Sequence, residues 1–309
     1  MSVRRCFAIP LLATLLLALH AACAAPIVQD AGAVGPAVLE TLPGASPVEL
    51  QTDDGVTLRG AFLEAKEGAP VILHLLPSAA STETGVPGGI GRIALDGTLQ
   101  RLRDLGWSSL AVDYRGLGRS DGRRNADRLG ADGDAMWREA VRRAGGSPDR
   151  VVVRATSLGS LVAAHLLAQD TAGGKPAGVV LIAPIRASTV VRNAARDRRG
   201  SFAAWWAARL YGSPAIPDLD TVVASTPVPV LVVLPSEDPY LTPEEAAQLA
   251  DAARAGGHRV EILAGDHPRA VLRAWGFEID EDGFGGRRVS TLMEAERRFL
   301  DDLQLAVEP

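Results

Sequence analysis

The sequence predicts an α/β domain built on a mostly parallel β-sheet. Short, nearly continuous apolar runs recur along the chain, as they do in strands that are buried on both faces of a parallel sheet. Stretches with helical spacing separate most of these runs, which is the alternation typical of βαβ units. Polar residues such as Ser157 and Asp238 directly follow individual runs, where the ligands of open parallel sheets bind.

An antiparallel hairpin is expected at the start of the domain. Residues 48–52 and 56–62 alternate between apolar and polar on either side of the turn Asp53-Asp54-Gly55. The apolar runs that follow predict six strands, at 71–76, 109–112, 151–154, 179–182, 228–234 and 259–263. Helical spacing predicts helices at 95–105, 131–144, 159–169, 243–255 and 289–303.

The first 24 residues have the pattern of a secretory signal peptide. Arg4 and Arg5 give a positive start, residues 9–19 are mostly apolar, and small residues follow at 21–25. A membrane-spanning helix needs about 20 apolar residues, which is longer than this run. We therefore expect an exported protein, periplasmic or secreted, with residues 25–47 as a linker to a domain at 48–305.

Both cysteines of the chain, Cys6 and Cys23, lie in this leader. Cleavage after Ala24 fits a small-residue signal, and we favour a soluble product. The alternative is a lipid anchor at Cys23, because residues 19–23 also resemble a bacterial lipoprotein signal, although His20 replaces the usual aliphatic residue. The mature domain would have no disulfide and no cysteine-based metal site. A formal net charge of −5 gives no sign of a nucleic-acid surface, so the expected partner is a small-molecule substrate.

The segment Ala155-Thr156-Ser157-Leu158-Gly159 lies between a predicted strand and a predicted helix. A nucleophile elbow has this context, with small residues two positions before and after the serine. Gly159 meets that requirement, and Ala155 is one methyl group larger than the usual glycine. In such a turn the Leu158 N–H would be an oxyanion donor at the start of the helix. The alternative is that Ser157 only caps this helix.

A nucleophilic serine needs a base, and the base needs a carboxylate that fixes its tautomer. Asp238 follows the strand predicted at 228–234, and His267 follows the strand predicted at 259–263. Glu237 and Asp266 are the alternative acids. The order serine, acid, histidine differs from the orders of the chymotrypsin and subtilisin types. The sequence therefore indicates a hydrolase whose triad combines Ser157 and His267 with an acid, Asp238 or one of these two alternatives.

Residues 48–303 resemble the α/β-hydrolase superfamily, most closely its esterase and serine-aminopeptidase-like branch. The matching pieces are the hairpin at 52–60, the D-Y-R-G-x-G-x-S stretch at 113–120, the elbow, and the segments at 236–239 and 265–267. The resemblance implies a mostly parallel central sheet with helices on both faces and a small helical lid at about 185–226. It also implies that Ser157 attacks an acyl carbon, that His267 serves as base and then acid, and that Asp238 orients His267. No metal or cofactor is implied.

The loop after the strand at 71–76 departs from the family pattern, because it has no His-Gly sequence. The second oxyanion donor would come from this loop, and Pro77 has no N–H to donate. We expect Ser78 to be this donor, with Leu76 and Ala79 as alternatives.

The sequence thus predicts hydrolysis of a carboxylic ester through an acyl-enzyme. The short lid favours a small or medium acyl group, although its aromatic helix at 201–211 could equally pack on the core. A peptidase or an acyltransferase could use the same triad. A non-catalytic ligand-binding protein that retains the fold is the remaining alternative, supported by Ala155 and by the missing His-Gly.

Overall fold

The computed structural model describes residues 42–77, 80–81, 86–87, 98–123, 125–169, 173–187, 216–266 and 291–305. The expected signal peptide and most of the expected linker lie outside these ranges. The strands are β1 Ala45–Gln51, β2 Thr57–Leu63, β3 Val71–Leu75, β4 Ala80–Ser81, β5 Val86–Pro87, β6 Ser108–Val112, β7 Val151–Thr156, β8 Gly178–Ile182, β9 Val230–Glu237 and β10 Arg259–Asp266. The helices are α1 Thr98–Asp104, α2 Leu129–Arg143, α3 Gly159–Ala168, α4 Leu219–Ser225, α5 Pro243–Ala255 and α6 Thr291–Asp302.

Eight strands form one sheet in the order β1-β2-β6-β3-β7-β8-β9-β10. Strand β2 is antiparallel to both of its neighbours, and every other neighbouring pair is parallel. Strand β3 lies between β6 and β7 in the sheet. After β3 the chain adds β6 on one side of it and then β7 to β10 on the other side. Ligands of open α/β sheets bind beyond the carboxyl ends of the strands at such a switch point. The predicted mostly parallel α/β fold is confirmed.

The central strands β3, β6, β7 and β8 are buried along their whole length. Because alternate residues of a strand point to opposite faces, a fully buried strand must be covered on both sides. On one face, Ile72 and Val152 cluster with Leu300 of α6 and with the partly buried Leu102 of α1. On the other face, their neighbours Leu73 and Val153 belong to the main core, which also contains residues of α2 and α3.

Strand β10 differs from its prediction in burial and in length. Only Leu263 of its eight residues is buried, and Ile262 is 63% exposed, because β10 is the last strand of the sheet. It also continues beyond the predicted end to Asp266, with a shift of register between Leu263 and Asp266. Strand β9 likewise continues to Glu237. Backbone pairing carries both strands past their apolar runs, which a hydrophobicity pattern does not show.

The N-terminal edge of the sheet and the region after β8 differ from the sequence predictions. Strand β1 begins at Ala45, three residues before the domain boundary expected at 48, and Leu42 before it is buried. Helix α4 was not predicted, and it lies within the segment at 185–226 where a lid was expected. Residues 188–215 of that segment, including the aromatic helix predicted at 201–211, lie outside the described residues. None of the described helices is long and apolar enough to cross a membrane.

Candidate active site

Ser157 occupies a sharp turn between β7 and α3. Its φ of 50° is left-handed, which is uncommon for any residue other than glycine. Its N–H donates to the Ile182 carbonyl at the end of the neighbouring strand β8, at 2.9 Å. Strained backbone of this kind concentrates at functional sites, and a serine held in this way has the geometry of a nucleophile elbow.

Gly159 allows the elbow to approach the sheet closely. A Cβ at this position would lie 2.2 Å from the Leu75 carbonyl oxygen of β3, far inside van der Waals contact. Ala155, the other small residue of the motif, is fully buried in β7, where it pairs with Leu75 and Leu181. The left-handed turn forms with Ala155 present, so the departure from G-x-S-x-G does not disturb it.

Ser157 does not serve as the cap of the helix that follows. The N-cap residue of α3 is Leu158, whose side chain makes no capping hydrogen bond. Among the described residues, the Leu158 N–H has no hydrogen-bond acceptor. The first N–H groups of a helix lack partners within the helix and carry partial positive charge. The Leu158 N–H is therefore suited to donate a hydrogen bond to a negatively charged oxygen.

Asp238 directly follows β9 and is half-buried. Its Oδ1 accepts a hydrogen bond from the Tyr240 N–H at 2.8 Å, which fixes the carboxylate at the end of the strand. Of the two alternative acids, Glu237 is exposed, and Asp266 is half-buried and pairs with Glu237 across the two strands.

His267 lies outside the described residues, but the residue before it does not. Asp266 ends β10, the parallel neighbour of β9, so the two strand ends that precede Asp238 and His267 in the sequence lie side by side in the sheet. The Gly265 N–H donates to Ser236 Oγ at 3.1 Å and joins the ends of the two strands.

Hydrogen bonds also lead from the elbow to the strand of the acid. The Ser157 N–H binds the Ile182 carbonyl of β8, and the next residue, Ala183, donates its N–H to the Val233 carbonyl of β9 at 2.9 Å. Ala183 is left-handed as well, with a φ of 45°. The ends of β7, β8 and β9 are thus connected on the side of the sheet where Ser157 and Asp238 lie.

The loop that should supply a second oxyanion donor begins at Leu76. The Tyr114 hydroxyl lies 3.3 Å from the Leu76 carbonyl and donates to it. Burial raises the pKa of Tyr114, so the phenol keeps its proton and remains a donor. Pro77 is buried, and Ser78 lies outside the described residues.

The stretch at 113–120 supports the site without taking part in it. A Cβ on Gly118 would lie 2.1 Å from Asp113 Oδ2, so the loop closes tightly over that carboxylate. Ser120 Oγ donates to the Asp113 carbonyl at 2.6 Å and accepts from the Arg59 N–H at 2.9 Å. Asp113 therefore has a structural role in this loop.

Three residues near the site carry contacts that the sequence analysis missed: Ser160, Tyr114 and Arg186. Ser160 bonds both the elbow and Ile185, and Arg186 forms an ion pair with Asp220 of α4. A serine in the first turn of the elbow helix and an arginine just after β8 were visible in the sequence, but their partners lie 25 and 34 residues away. In the described part of the chain, no group of three His, Cys, Asp or Glu side chains could hold a metal ion.

A mostly parallel eight-stranded sheet with a left-handed serine between strand and helix is the architecture of the α/β-hydrolase fold, which the described part of the chain adopts. Residues 91–219, less than half of the chain, match the family model of the serine aminopeptidases, S33. This match and the structural neighbours support a hydrolase of the α/β type. No curated protein matches the sequence.

Solved structures share the fold at low sequence identity. An esterase from Pyrococcus furiosus has a TM-score of 0.59 and 19% identity, over 80% of this chain and 92% of that one. An α/β hydrolase from Vibrio vulnificus has a TM-score of 0.59 and 22% identity, over 79% of this chain and 84% of that one. Dipeptidyl peptidase 4 from Porphyromonas gingivalis has a TM-score of 0.54 and 13% identity, over 84% of this chain but 35% of its own length.

Proposed function

We propose that the protein hydrolyses carboxylic esters through an acyl-enzyme formed on Ser157. The observation that carries this proposal is the left-handed φ of 50° at Ser157, on a turn that Gly159 holds against β3. Nothing in a purely structural role requires this conformation of a serine, whereas the strained turn exposes the Oγ of a nucleophile at the end of the sheet.

Ser157, His267 and Asp238 would then have distinct roles. His267 takes the proton of Ser157 Oγ as the oxygen attacks the acyl carbon, and the electron pair of the carbonyl π bond moves to the oxygen. Collapse of this intermediate breaks the ester bond, and the leaving alcohol takes the proton from His267. Water then repeats the sequence on the acyl-enzyme and releases the acid. Asp238 holds His267 in the required tautomer, a role favoured by its turn at the end of β9.

The oxygen that becomes negative would be bound by two backbone N–H groups, those of Leu158 and Ser78. The Leu158 N–H at the start of α3, which has no acceptor in the part of the chain that the structure describes, favours the first assignment. The hydrogen bond from Tyr114 to the Leu76 carbonyl favours the second, because it fixes the chain just before the loop that contains Ser78. Loss of one such donor lowers turnover by about 10²–10³-fold in other enzymes.

The substrate we propose is an ester with a small or medium acyl group, because the lid segment at 185–226 is short. The esterase from Pyrococcus furiosus shares the fold, which supports an ester as the substrate. A peptidase is the second candidate, since the matching family model is that of serine aminopeptidases. A panel of matched p-nitrophenyl esters and p-nitroanilides separates the two, and faster turnover of the anilides would favour the peptidase.

Covalent labelling by a fluorophosphonate probe tests the proposed nucleophile. We expect rapid labelling of the wild type, none of Ser157→Ala, and labelling of His267→Ala that is slower by about 10³-fold or more, since an unassisted serine is a poor nucleophile. Ser147→Ala is the matched control, because Ser147 precedes a turn at the opposite end of β7, and we expect it to label like the wild type. Equal labelling of the wild type, Ser157→Ala and His267→Ala would contradict the mechanism. A wild type that does not label would instead favour a non-catalytic binding protein.

A further inference from the structure

The peptide group between Ser157 and Leu158 contains both the Ser157 carbonyl and the Leu158 N–H. In a planar trans peptide these two groups point in opposite directions. Whatever holds the Ser157 carbonyl therefore also sets the direction of the Leu158 N–H. That N–H is the group assigned above to the oxyanion hole.

Ser160 holds this carbonyl with two donors. Its N–H lies 2.9 Å from the Ser157 carbonyl oxygen, and its Oγ lies 2.6 Å from the same oxygen. The hydroxyl has one proton, and its other neighbouring acceptor, the Ile185 carbonyl, is farther away at 3.3 Å. The Ile185 N–H donates to Ser160 Oγ at 3.0 Å and occupies one of its lone pairs. The proton of Ser160 is thus directed to Ser157.

The surroundings of Ser160 make this bond strong. Ser160 is fully buried, so water does not compete for the Ser157 carbonyl. Ile185 lies just after β8, and its bond to Ser160 connects this loop to the elbow. The left-handed φ of Ser157 is strained, so a change of this backbone conformation would relieve strain. Rotation of the Ser157–Leu158 peptide would, however, break both hydrogen bonds from Ser160.

We propose that Ser160 is a positioning residue for the oxyanion hole, and that it keeps the Leu158 N–H directed at the oxygen on which charge develops. This proposal rests on the proposed function of Ser157. Ser160 touches neither the substrate nor the reacting atoms, and it acts through the peptide that it holds. A merely structural hydroxyl, bonded back to the carbonyl three residues earlier, would affect stability and leave turnover unchanged.

The test compares Ser160→Ala with Ser108→Ala. Ser108 is also buried, and its hydroxyl also accepts from a backbone N–H, that of Ala65 at 3.1 Å, but it lies at the start of β6. For each variant the melting temperature, kcat and KM for a p-nitrophenyl ester, and the rate of fluorophosphonate labelling are measured. Because a misdirected donor is weakened rather than lost, we expect Ser160→Ala to lower kcat and the labelling rate by about 10- to 100-fold with KM nearly unchanged. Ser108→Ala should lower the melting temperature only.

Two results separate this proposal from the proposed function. If the wild type labels and Ser160→Ala labels and turns over at the wild-type rate, the positioning role is overturned while Ser157 remains the nucleophile. If the wild type does not label, the proposed function itself fails. Should Ser160→Ala not fold, Ser160→Cys keeps nearly the same size with a weaker donor, and the same comparison applies with a smaller expected loss of kcat.

Discussion

Ser157 adopts a backbone conformation that serine disfavours, and its neighbours keep it there. A residue in such a region costs about 1–3 kcal/mol, which the surrounding structure must offset. The bonds from the Ser157 N–H to Ile182 and from Ser160 to the Ser157 carbonyl hold the turn on both sides. Gly159 adds the close approach of α3 to β3. The elbow therefore depends on contacts with strands β3 and β8 and with helix α3.

Gly159→Ala should disrupt this turn. The added Cβ would lie 2.2 Å from the Leu75 carbonyl oxygen and 2.7 Å from the carbonyl carbon, and neither backbone atom can move away without shifting β3. We expect a loss of stability of about 1–3 kcal/mol, typical of overpacking, and a fall in the fluorophosphonate labelling rate of at least tenfold. Urea denaturation and labelling kinetics measure the two effects.

Gly178→Ala is the matched control for this substitution. Gly178 also lies in a buried strand, at the opposite end of β8, but the atoms nearest to its added Cβ would be the ends of the Leu303 and Phe299 side chains. These ends can move, so the variant should retain the labelling rate of the wild type. Wild-type labelling of Gly159→Ala would show that the close contact with β3 does not position the nucleophile.

At this scale the sequence predicted the elbow but not what holds it. Small residues around Ser157, between an apolar run and a helical stretch, are enough to predict the turn. The partners of Ser160 and the second left-handed residue, Ala183, depend on how β8 packs beside β7. No local pattern distinguishes Ser160 from an ordinary helical serine. His267 and Ser78 stay predictions, as does the assignment of Asp238 as the acid.

At the scale of elements, one buried arginine joins the first hairpin to helix α2. Arg115 is 5% exposed and donates from Nε to Asp132 Oδ1 at 2.8 Å and from Nη1 to Asp54 Oδ2 at 2.7 Å. Asp132 lies on α2 and is fully buried, and Asp54 is in the turn between β1 and β2. The hydrogen bond from Arg115, with help from Thr52, holds the pKa of Asp54 far below its ordinary range.

Removing this arginine should be strongly destabilising. Arg115→Met leaves Asp132 as a buried carboxylate without its cation, a change that costs about 3–5 kcal/mol in proteins. Asp132→Asn in the same chain removes the uncompensated charge. In the wild type the backbone N–H of Arg115 donates to Asp132 Oδ2 at 3.0 Å, and the amide oxygen of the asparagine can still accept from the backbone N–H of this position. We therefore expect the double variant to recover a substantial part of the loss, measured by urea denaturation of both single variants and the double variant.

Arg59→Met provides the comparison with an exposed pair. Arg59 binds Glu49 and Asp121, and both carboxylates are more than half exposed. Exposed ion pairs contribute about 0–1 kcal/mol, so this variant should lose little stability. If Arg115→Met and Arg59→Met lost equal amounts, burial of Asp132 would not be the cause.

The elements that the sequence predicted best are those that are buried on both faces. The predicted bounds of β3, β6, β7 and β8 lie within two residues of the observed ones, because burial on both faces makes every position apolar. Edge strand β10 and the last two residues of β9 are not buried in this way, so their extent was not predicted. Helix α4 was missed because its seven residues include Thr, Val and Ser, which are weak helix formers.

Across the whole molecule, a polar chain runs through one face of the sheet beneath the elbow. His74 on β3 approaches Ser109 on β6, with Nε2 to Oγ at 3.2 Å, and pairs across the strands with Arg154 on β7. Arg154 in turn donates to Glu296 on α6 at 2.7 Å. Among the described residues, His74 Nδ1 has no hydrogen-bond partner. Burial, and secondarily the charge of Arg154, hold the pKa of His74 well below its ordinary value.

This shift makes His74 a source of acid sensitivity for the entire fold. In the unfolded chain a histidine binds a proton below about pH 6.5, whereas folded His74 stays neutral, so folding in this range must release a proton. The unfolding free energy should therefore fall by up to about 1.4 kcal/mol per pH unit as the pH drops below 6.5, until the folded-state pKa is reached. Denaturant titrations of the wild type and His74→Gln between pH 7 and 5 measure this slope. In His74→Gln the slope should be smaller by the part that corresponds to the release of about one proton.

Ser109→Ala removes the partner of His74 but keeps the imidazole, so it should lower stability at every pH and retain the wild-type slope. Equal slopes in the wild type and His74→Gln would mean that His74 binds its proton equally well in the folded and unfolded chains.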